Sequence, residues 1–316
     1  MLGALVALLS AFSFSLSDVS VRRGVARAPA SHAAFVTILI GVPLFVVAAL
    51  VTGQLLRADE LSGKAYLLFV IAGVEHYVIG RFFNYAAISA IGAARSSPIQ
   101  SLALPYSVLV AYVALGEGVT TGMAIGMALI FVGPAIIVER RSAPLPVLAA
   151  EAIAEGPAPP EPAAPFQMRQ AEGYLYALIA AVAYGSSPVL IRAALEDTSG
   201  LSVLGGLVSY VAAAVFLLGV VLIPLGRPLR GALRPEAFHT FFSAGCFVFL
   251  AQMLRFVALS LASVAVVATL LRFSGIFTLF LSWLVNRNLE RISWRLVVGV
   301  VMSLAGAVLL VLTRAD

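Results

Sequence analysis

The sequence predicts an all-α membrane protein of ten transmembrane helices, arranged as two inverted five-helix repeats. Three observations predict it. Hydrophobic residues make up 61% of the 316 residues and charged residues 11%, with a mean hydropathy of +1.04. A soluble domain is about 45–50% apolar and about 25% charged, so this composition excludes soluble globular, disordered and nucleic-acid-binding proteins. The apolar residues fall into ten runs, each close to the roughly 20 residues that cross a bilayer. A proline-rich stretch divides the runs into two sets of five, and the same residue spacings recur in both sets.

The first set comprises Leu2–Ser20, Ala33–Thr52, Ala65–Ala87, Ser96–Leu115 and Thr120–Val138. The second comprises Gly173–Ile191, Val203–Leu225, Phe238–Ser260, Ser263–Val285 and Arg295–Thr313. None alternates apolar and polar residues as a strand does, and lipid-facing backbone must satisfy its hydrogen bonds internally, so each run is expected to be a helix. The Met1–Ser17 run has no basic residue ahead of it and is followed by Arg22 and Arg23, which reads as a first span and not a cleaved leader. From Arg140 to Glu172, seven prolines stand among alanines and glutamates. Such a segment buries no core and is expected to be a flexible linker, so the chain divides into 1–139, 140–172 and 173–316.

The two halves repeat. Glu117, Gly126 and Gly133 have the spacings of Glu290, Gly299 and Gly306, 173 residues later. Tyr85–Ser89 resembles Phe256–Ser260 at an offset of 171, and Ser17 and Arg22 match Ser187 and Arg192 at an offset of 170. An odd number of spans per half forces the second half to enter the membrane inverted, an arrangement that places a substrate site near the midplane between the halves. The net charge of +5 is read as loop arginines that fix orientation. Thirteen of the 20 Lys and Arg residues fall in odd-numbered loops and four in even loops or the tail, which places odd loops in the cytoplasm and both termini outside.

The stretch from Ala90 through Pro98, Pro105, Gly116-Glu117 and Gly126 to Gly133 resembles the signature half of the drug/metabolite transporter superfamily, most closely its ten-helix EamA-like branch. Ala262 through Glu290 to Gly306 is a weaker copy without the two prolines. The resemblance covers nearly the whole chain except the linker. It implies alternating access around a cavity lined by the third, fourth, eighth and ninth helices. It also implies cytoplasmic termini, which conflicts with the arginine count, and it implies no particular substrate.

Charged residues within spans are expensive and usually face the bundle interior. The third span holds Glu75, His76, Arg81 and Asn84, and the eighth holds Gln252 and Arg255. By the repeat, Arg81 matches Gln252 and Asn84 matches Arg255. Two facing inverted helices would surround one space with two guanidiniums and two amides, a donor set for carboxylate or phosphate. Salt bridges of these arginines to Glu75 or Asp18, or a reach to headgroups, are the alternative. Tyr77, Arg81, Asn84 and Tyr85 share a helical face, where the tyrosines either contact substrate or simply pack. Arg272 in the ninth span lies opposite Gln100, which belongs to a serine-rich patch beside Pro98 and Pro105, prolines expected to kink the helix and free carbonyls.

Asp18, Glu75 and His76 are candidates for proton coupling, Glu75 foremost, with an Asp18–Arg22 ion pair as the local alternative for Asp18. Glu117 and Glu290 suit helix N-termini, and Gly126, Gly133, Gly299 and Gly306 suit close helix packing, so these six are read as structural. Cys246 stands alone and the three histidines show no ligand spacing, so no metal or other cofactor is expected. No Walker A pattern, HExxH or Gly-x-Ser-x-Gly elbow is present. The expectation is therefore a transporter of a small metabolite in the inner (cell) membrane, favouring an amino acid or other anionic compound. Its partners would be a small-molecule substrate and the lipid bilayer, with no nucleic acid; the sequence leaves a homodimer open. An intramembrane lipid-phosphate enzyme, a lipid flippase and a membrane sensor are the competing readings.

Overall fold

The computed structural model describes residues 2–106, 120–137, 169–196, 198, 200–262, 264–286 and 293–313. These contain helices and no strand. In chain order they are α1 (Leu2–Gly24), α2 (Ala30–Val51), α3 (Gly63–Ile91) and α4 (Ala93–Gln100, with further helix at 103–106), then α5 (Thr121–Ile137) and α6 (Gln170–Glu196). The remainder are α7 (Ser202–Leu222), α8 (Pro235–Leu261), α9 (Val264–Leu271 and Ser274–Val285) and α10 (Trp294–Leu312). Six of them (α1, α2, α3, α6, α7 and α8) are long and apolar enough to cross a membrane, and α5, α9 and α10 are shorter apolar helices. Leu5, Leu9, Val47, Leu67, Val215, Phe216, Trp283 and Val301 are exposed on their outer faces, as a lipid-facing belt requires.

The expected helices form, with three differences. α6 begins at Gln170, so Gln170–Glu172 belong to a helix and not to the linker. Glu172 sits in the first turn, where the helix dipole favours an acid, and Arg169 both pairs with it at 2.9 Å and donates its backbone N–H to the Ala90 carbonyl at 3.2 Å. α3 is π-helical over Val74–Gly80. α9 is interrupted between Leu271 and Ser274. The rest of the linker, Glu117, Glu290 and the 107–115 part of the fourth span lie outside the described residues.

The packing displays the inversion directly. α5 runs against α10 with glycines at the crossing. A Cβ on Gly306 would lie 2.6 Å from the Gly126 carbonyl oxygen, and a Cβ on Gly133 would lie 2.6 Å from the Gly299 carbonyl oxygen. Since Gly126 corresponds to Gly299 and Gly133 to Gly306, these two contacts are one contact and its two-fold mate, made between antiparallel helices. The other helices pair in the same way. Ser10 and Ser17 of α1 donate to Ala251 and Ala244 of α8 at 2.7 and 3.1 Å. In the repeat-related helix pair, α3 with α6, His76 meets Ser187 at 2.7 Å. Gly41 of α2 receives Tyr210 of α7, while Gly206 of α7 receives Phe45 of α2. Small residues and hydroxyls at the seams are what helix association in lipid uses, because apolar burial supplies no driving force there.

The main core lies among α2, α3, α7 and α8, with Phe35, Phe45, Phe69, Tyr210 and Phe241 fully buried. The connections also serve it. Gln54, in a short 3-10 helix (Gln54–Glu60) after α2, accepts from the backbone N–H groups of Val203 and Leu204 at 2.9 and 3.1 Å, satisfying two of the orphan donors at the start of α7.

Candidate functional site

A cavity of about 140 Å³ lies at the centre of the bundle. Its wall is built by α1 (Phe14, Asp18), α3 (His76, Arg81, Asn84, Tyr85), α4 (Gln100), α6 (Tyr184, Pro188), α8 (Val248, Gln252, Arg255, Leu259) and α9 (Val267, Leu271, Arg272, Ser274). The two guanidiniums and two amides expected of α3 and α8 therefore share one space, joined by a third guanidinium from α9. The helices implied by the family resemblance all contribute, and α1 and α6 complete the wall.

Local breaks in helical bonding shape the site. Between Gln100 and Leu104 the helix tightens: the Leu104 N–H goes to the Ser101 carbonyl at 3.1 Å, and the Gln100 carbonyl is left to accept from Arg272 Nη1 at 3.4 Å. The α9 interruption falls at the repeat-related position. Arg272, Phe273 and Gly275 donate to Thr269, Leu270 and Arg272 at 3.0, 3.1 and 3.1 Å, all three residues back. Two discontinuous helices thus meet at the cavity, where irregular backbone is tolerated because it faces protein and polar space.

Each arginine is fixed by neutral partners. Arg81 is 2% exposed, donates Nη2 to the Tyr210 hydroxyl at 2.6 Å, and lies 4.8 and 5.0 Å from the ring centroids of Tyr77 and Tyr210. Arg255 donates Nη1 to His76 Nε2 at 3.2 Å and to Gln252 Oε1 at 3.5 Å. Gln100 in turn donates to Asn84 Oδ1 at 2.6 Å, which orients both amides. Arg81 Nη1, Arg255 Nη2 and Arg272 Nε are buried and have no partner among the described residues. Buried cations without carboxylate partners are destabilising unless an anion or water completes them.

His76 is locked in one tautomer. Arginine has no acceptor, so His76 Nε2 accepts from Arg255 and Nδ1–H donates to Ser187 Oγ at 2.7 Å. This bears on the enzyme reading, which needed a serine beside a base. Ser187 is beside His76, but it receives a proton-donating hydrogen bond and is fully buried outside the cavity wall. In this arrangement the pair does not activate a nucleophile.

Two of the expected site residues stand away from the wall. Tyr77 packs behind it, with its hydroxyl 3.5 Å from Gln252 Oε1 and its ring against Tyr210. The π-helical turn between Tyr77 and Arg81 changes the register on which their shared face was reasoned. Glu75 is half-buried and accepts from Ser186 on α6, one residue from the His76–Ser187 contact. Asp18 lies in the wall and has bonded partners of its own. Sequence reasoning missed Tyr184, Ser186, Ser187 and Tyr210. Ser187 was visible only as the repeat mate of Ser17, and Tyr210 carried no signal beyond its being a polar ring in an otherwise apolar run.

Among the described residues, ten helices in two inverted halves around a polar cavity with buried cationic donors have the build of a multi-pass membrane protein. The model of the EamA-like transporter family matches residues 1–139 and 171–312, and the chain belongs to that family, whose members are membrane drug/metabolite transporters. One solved crystal structure, described only as that of a protein, is 16% identical with a TM-score of 0.58, and the match covers 99% of this chain and 98% of that one; it supports the fold. No curated protein matches.

Proposed function

We propose that the protein moves a small anionic metabolite, an amino acid or another carboxylate, across the inner membrane by alternating access of its two halves. The observation that carries this reading is the set of three buried guanidiniums in one cavity, each anchored by a neutral group and each retaining an N–H without a partner. Guanidinium forks match carboxylate oxygens bidentately, and their fixed placement reduces the ordering cost on binding. Arg81, Asn84, Tyr85, Gln100, Gln252, Arg255 and Arg272 would contact substrate, with Tyr77 supporting Arg81 from behind. Glu75 is the proposed proton carrier, because its carboxyl sits within a span, off the substrate wall, and shares the α3–α6 seam with His76. His76, already held between Arg255 and Ser187, is a positioning group in this reading. The intervening 140–169 stretch serves as the linker between the halves, and a homodimer is compatible with the belt of exposed apolar residues.

The test is a thermal-shift panel on detergent-purified protein, with amino acids, organic acids, sugar phosphates and nucleotide sugars, on wild type and on Arg255→Ala. A ligand at 100 times its Kd stabilises the native state by about 2.7 kcal/mol. Carboxylates or other anions are expected to raise the melting temperature of the wild type and not that of the variant. A panel in which no anion shifts the wild type would overturn the assignment.

A further inference from the structure

Resting on the anionic reading of this cavity, we infer that the site is built for a compact dianion and not for a singly charged acid. The wall among the described residues carries three guanidiniums, from Arg81, Arg255 and Arg272, against one carboxylate, from Asp18. His76 is neutral by its hydrogen bonds, accepting at Nε2 and donating at Nδ1. The surplus is two positive charges.

The donors are distributed in the same sense. The three partnerless N–H groups belong to three arginines on three helices, α3, α8 and α9. One carboxylate engages one guanidinium fork with its two oxygens and leaves the others unmet. A dicarboxylate, with four acceptor oxygens, or a phosphate monoester, with three terminal oxygens, carries enough acceptors and charge for all three guanidiniums. The tethers add to this. Tyr210 holds Arg81, His76 and Gln252 hold Arg255, and the Gln100 carbonyl holds Arg272, so the guanidiniums cannot turn to one another's partners when a single charge arrives. In a site of low dielectric a second negative charge on the ligand gains more than it would in water. The volume of about 140 Å³ confines the ligand to a few heavy atoms, well below the ~300–1,000 Å³ of pockets that hold drug-sized ligands.

The experiment titrates the full chain in detergent, at fixed ionic strength and pH 7.5, with propionate, succinate and glycerol 3-phosphate. It reads the concentration that gives half the maximal thermal shift. At least one dianion is expected to act at a concentration roughly tenfold or more below that of propionate. The succinate and glycerol 3-phosphate arms tell a dicarboxylate from a phosphate source. Arg272→Gln is expected to bring the dianion and propionate to within about threefold of each other, since it removes one of the two surplus charges. Propionate acting at the same concentration as both dianions would overturn the inference and leave the anionic reading standing. An unaltered ratio in a folded Arg272→Gln variant would overturn it equally. No shift with any of the three would overturn both. Should Arg272→Gln fail to fold, the wild-type ratio alone decides.

Discussion

Among the described residues Arg81 has one hydrogen-bond acceptor, the Tyr210 hydroxyl on another helix, beside its contacts with the Tyr77 and Tyr210 rings, and that makes Tyr210 the most informative residue to alter. Tyr210→Phe keeps the ring under the guanidinium and deletes the acceptor, leaving Arg81 Nη2 unmet in a buried position. Hydrogen bonds to charged groups contribute about 1.5–3 kcal/mol, so the apparent Tm is expected to fall and the Kd for the anion to rise roughly tenfold. Tyr77→Phe, whose hydroxyl makes only a 3.5 Å contact with Gln252, is expected to change both far less. Equal effects of the two variants in isothermal titration would mean that Arg81 is placed by ring stacking and not by the hydroxyl. Arg255→Lys is expected to bind about as poorly as Arg255→Ala, because an ammonium cannot contact His76 and the ligand with separate planar donors. The arginines, amides and His76 were legible in the sequence because charge within a span is conspicuous. The tethers of Arg81 to Tyr210 and of His76 to Ser187 were not, because they join helices more than a hundred residues apart, and no spacing rule connects them.

At the scale of single helices, the crossing of α5 and α10 depends on backbone approach. The Gly306 and Gly133 positions each face a backbone carbonyl across the seam, so a side chain at either forces the helices apart. Gly306→Leu is expected to destabilise by about 1–3 kcal/mol, as overpacked cores do. Gly219, in the interior of α7, has nothing within 4 Å of an added Cβ. Gly219→Ala is therefore expected to be neutral or to stabilise by roughly 0.5–1 kcal/mol through helix propensity. Thermal melts of the two variants side by side check this, and a Gly306→Leu protein that melts like wild type would remove the close crossing. The glycine spacing was readable because the repeat displays it twice. The π-helical turn in α3 and the break in α9 were not. Neither has a proline within it to mark it in the sequence.

Across the described residues, the interruptions in helical bonding predict where the molecule opens. Among the described residues the large aromatic core joins α2, α3, α7 and α8. The broken segments of α4 and α9, related by the repeat, meet at the cavity. Segments with interrupted backbone bonding open at low free energy, whereas core helices open only with the whole fold. Hydrogen–deuterium exchange of the detergent-purified protein is therefore expected to be fastest, among the described cavity-lining backbone, at residues 99–104 and 270–275, and slowest in the middle of α2 and α7. A bound anion bridging Arg272 to Arg81 and Arg255 ties α9 to α3 and α8, so saturating ligand is expected to slow exchange at those two segments by roughly tenfold while leaving α2 and α7 unaltered, a change of about 1.4 kcal/mol in local opening. The inverted repeat behind this symmetry was legible from the odd span count and the doubled glycine motif. The side of the membrane that each end faces was not, because the arginine count and the family pattern point in opposite directions. Ligand protection confined to one of the two segments would break the symmetry argument: it would mean that one discontinuous helix moves alone, and that the other serves as a fixed wall against which the substrate is exchanged.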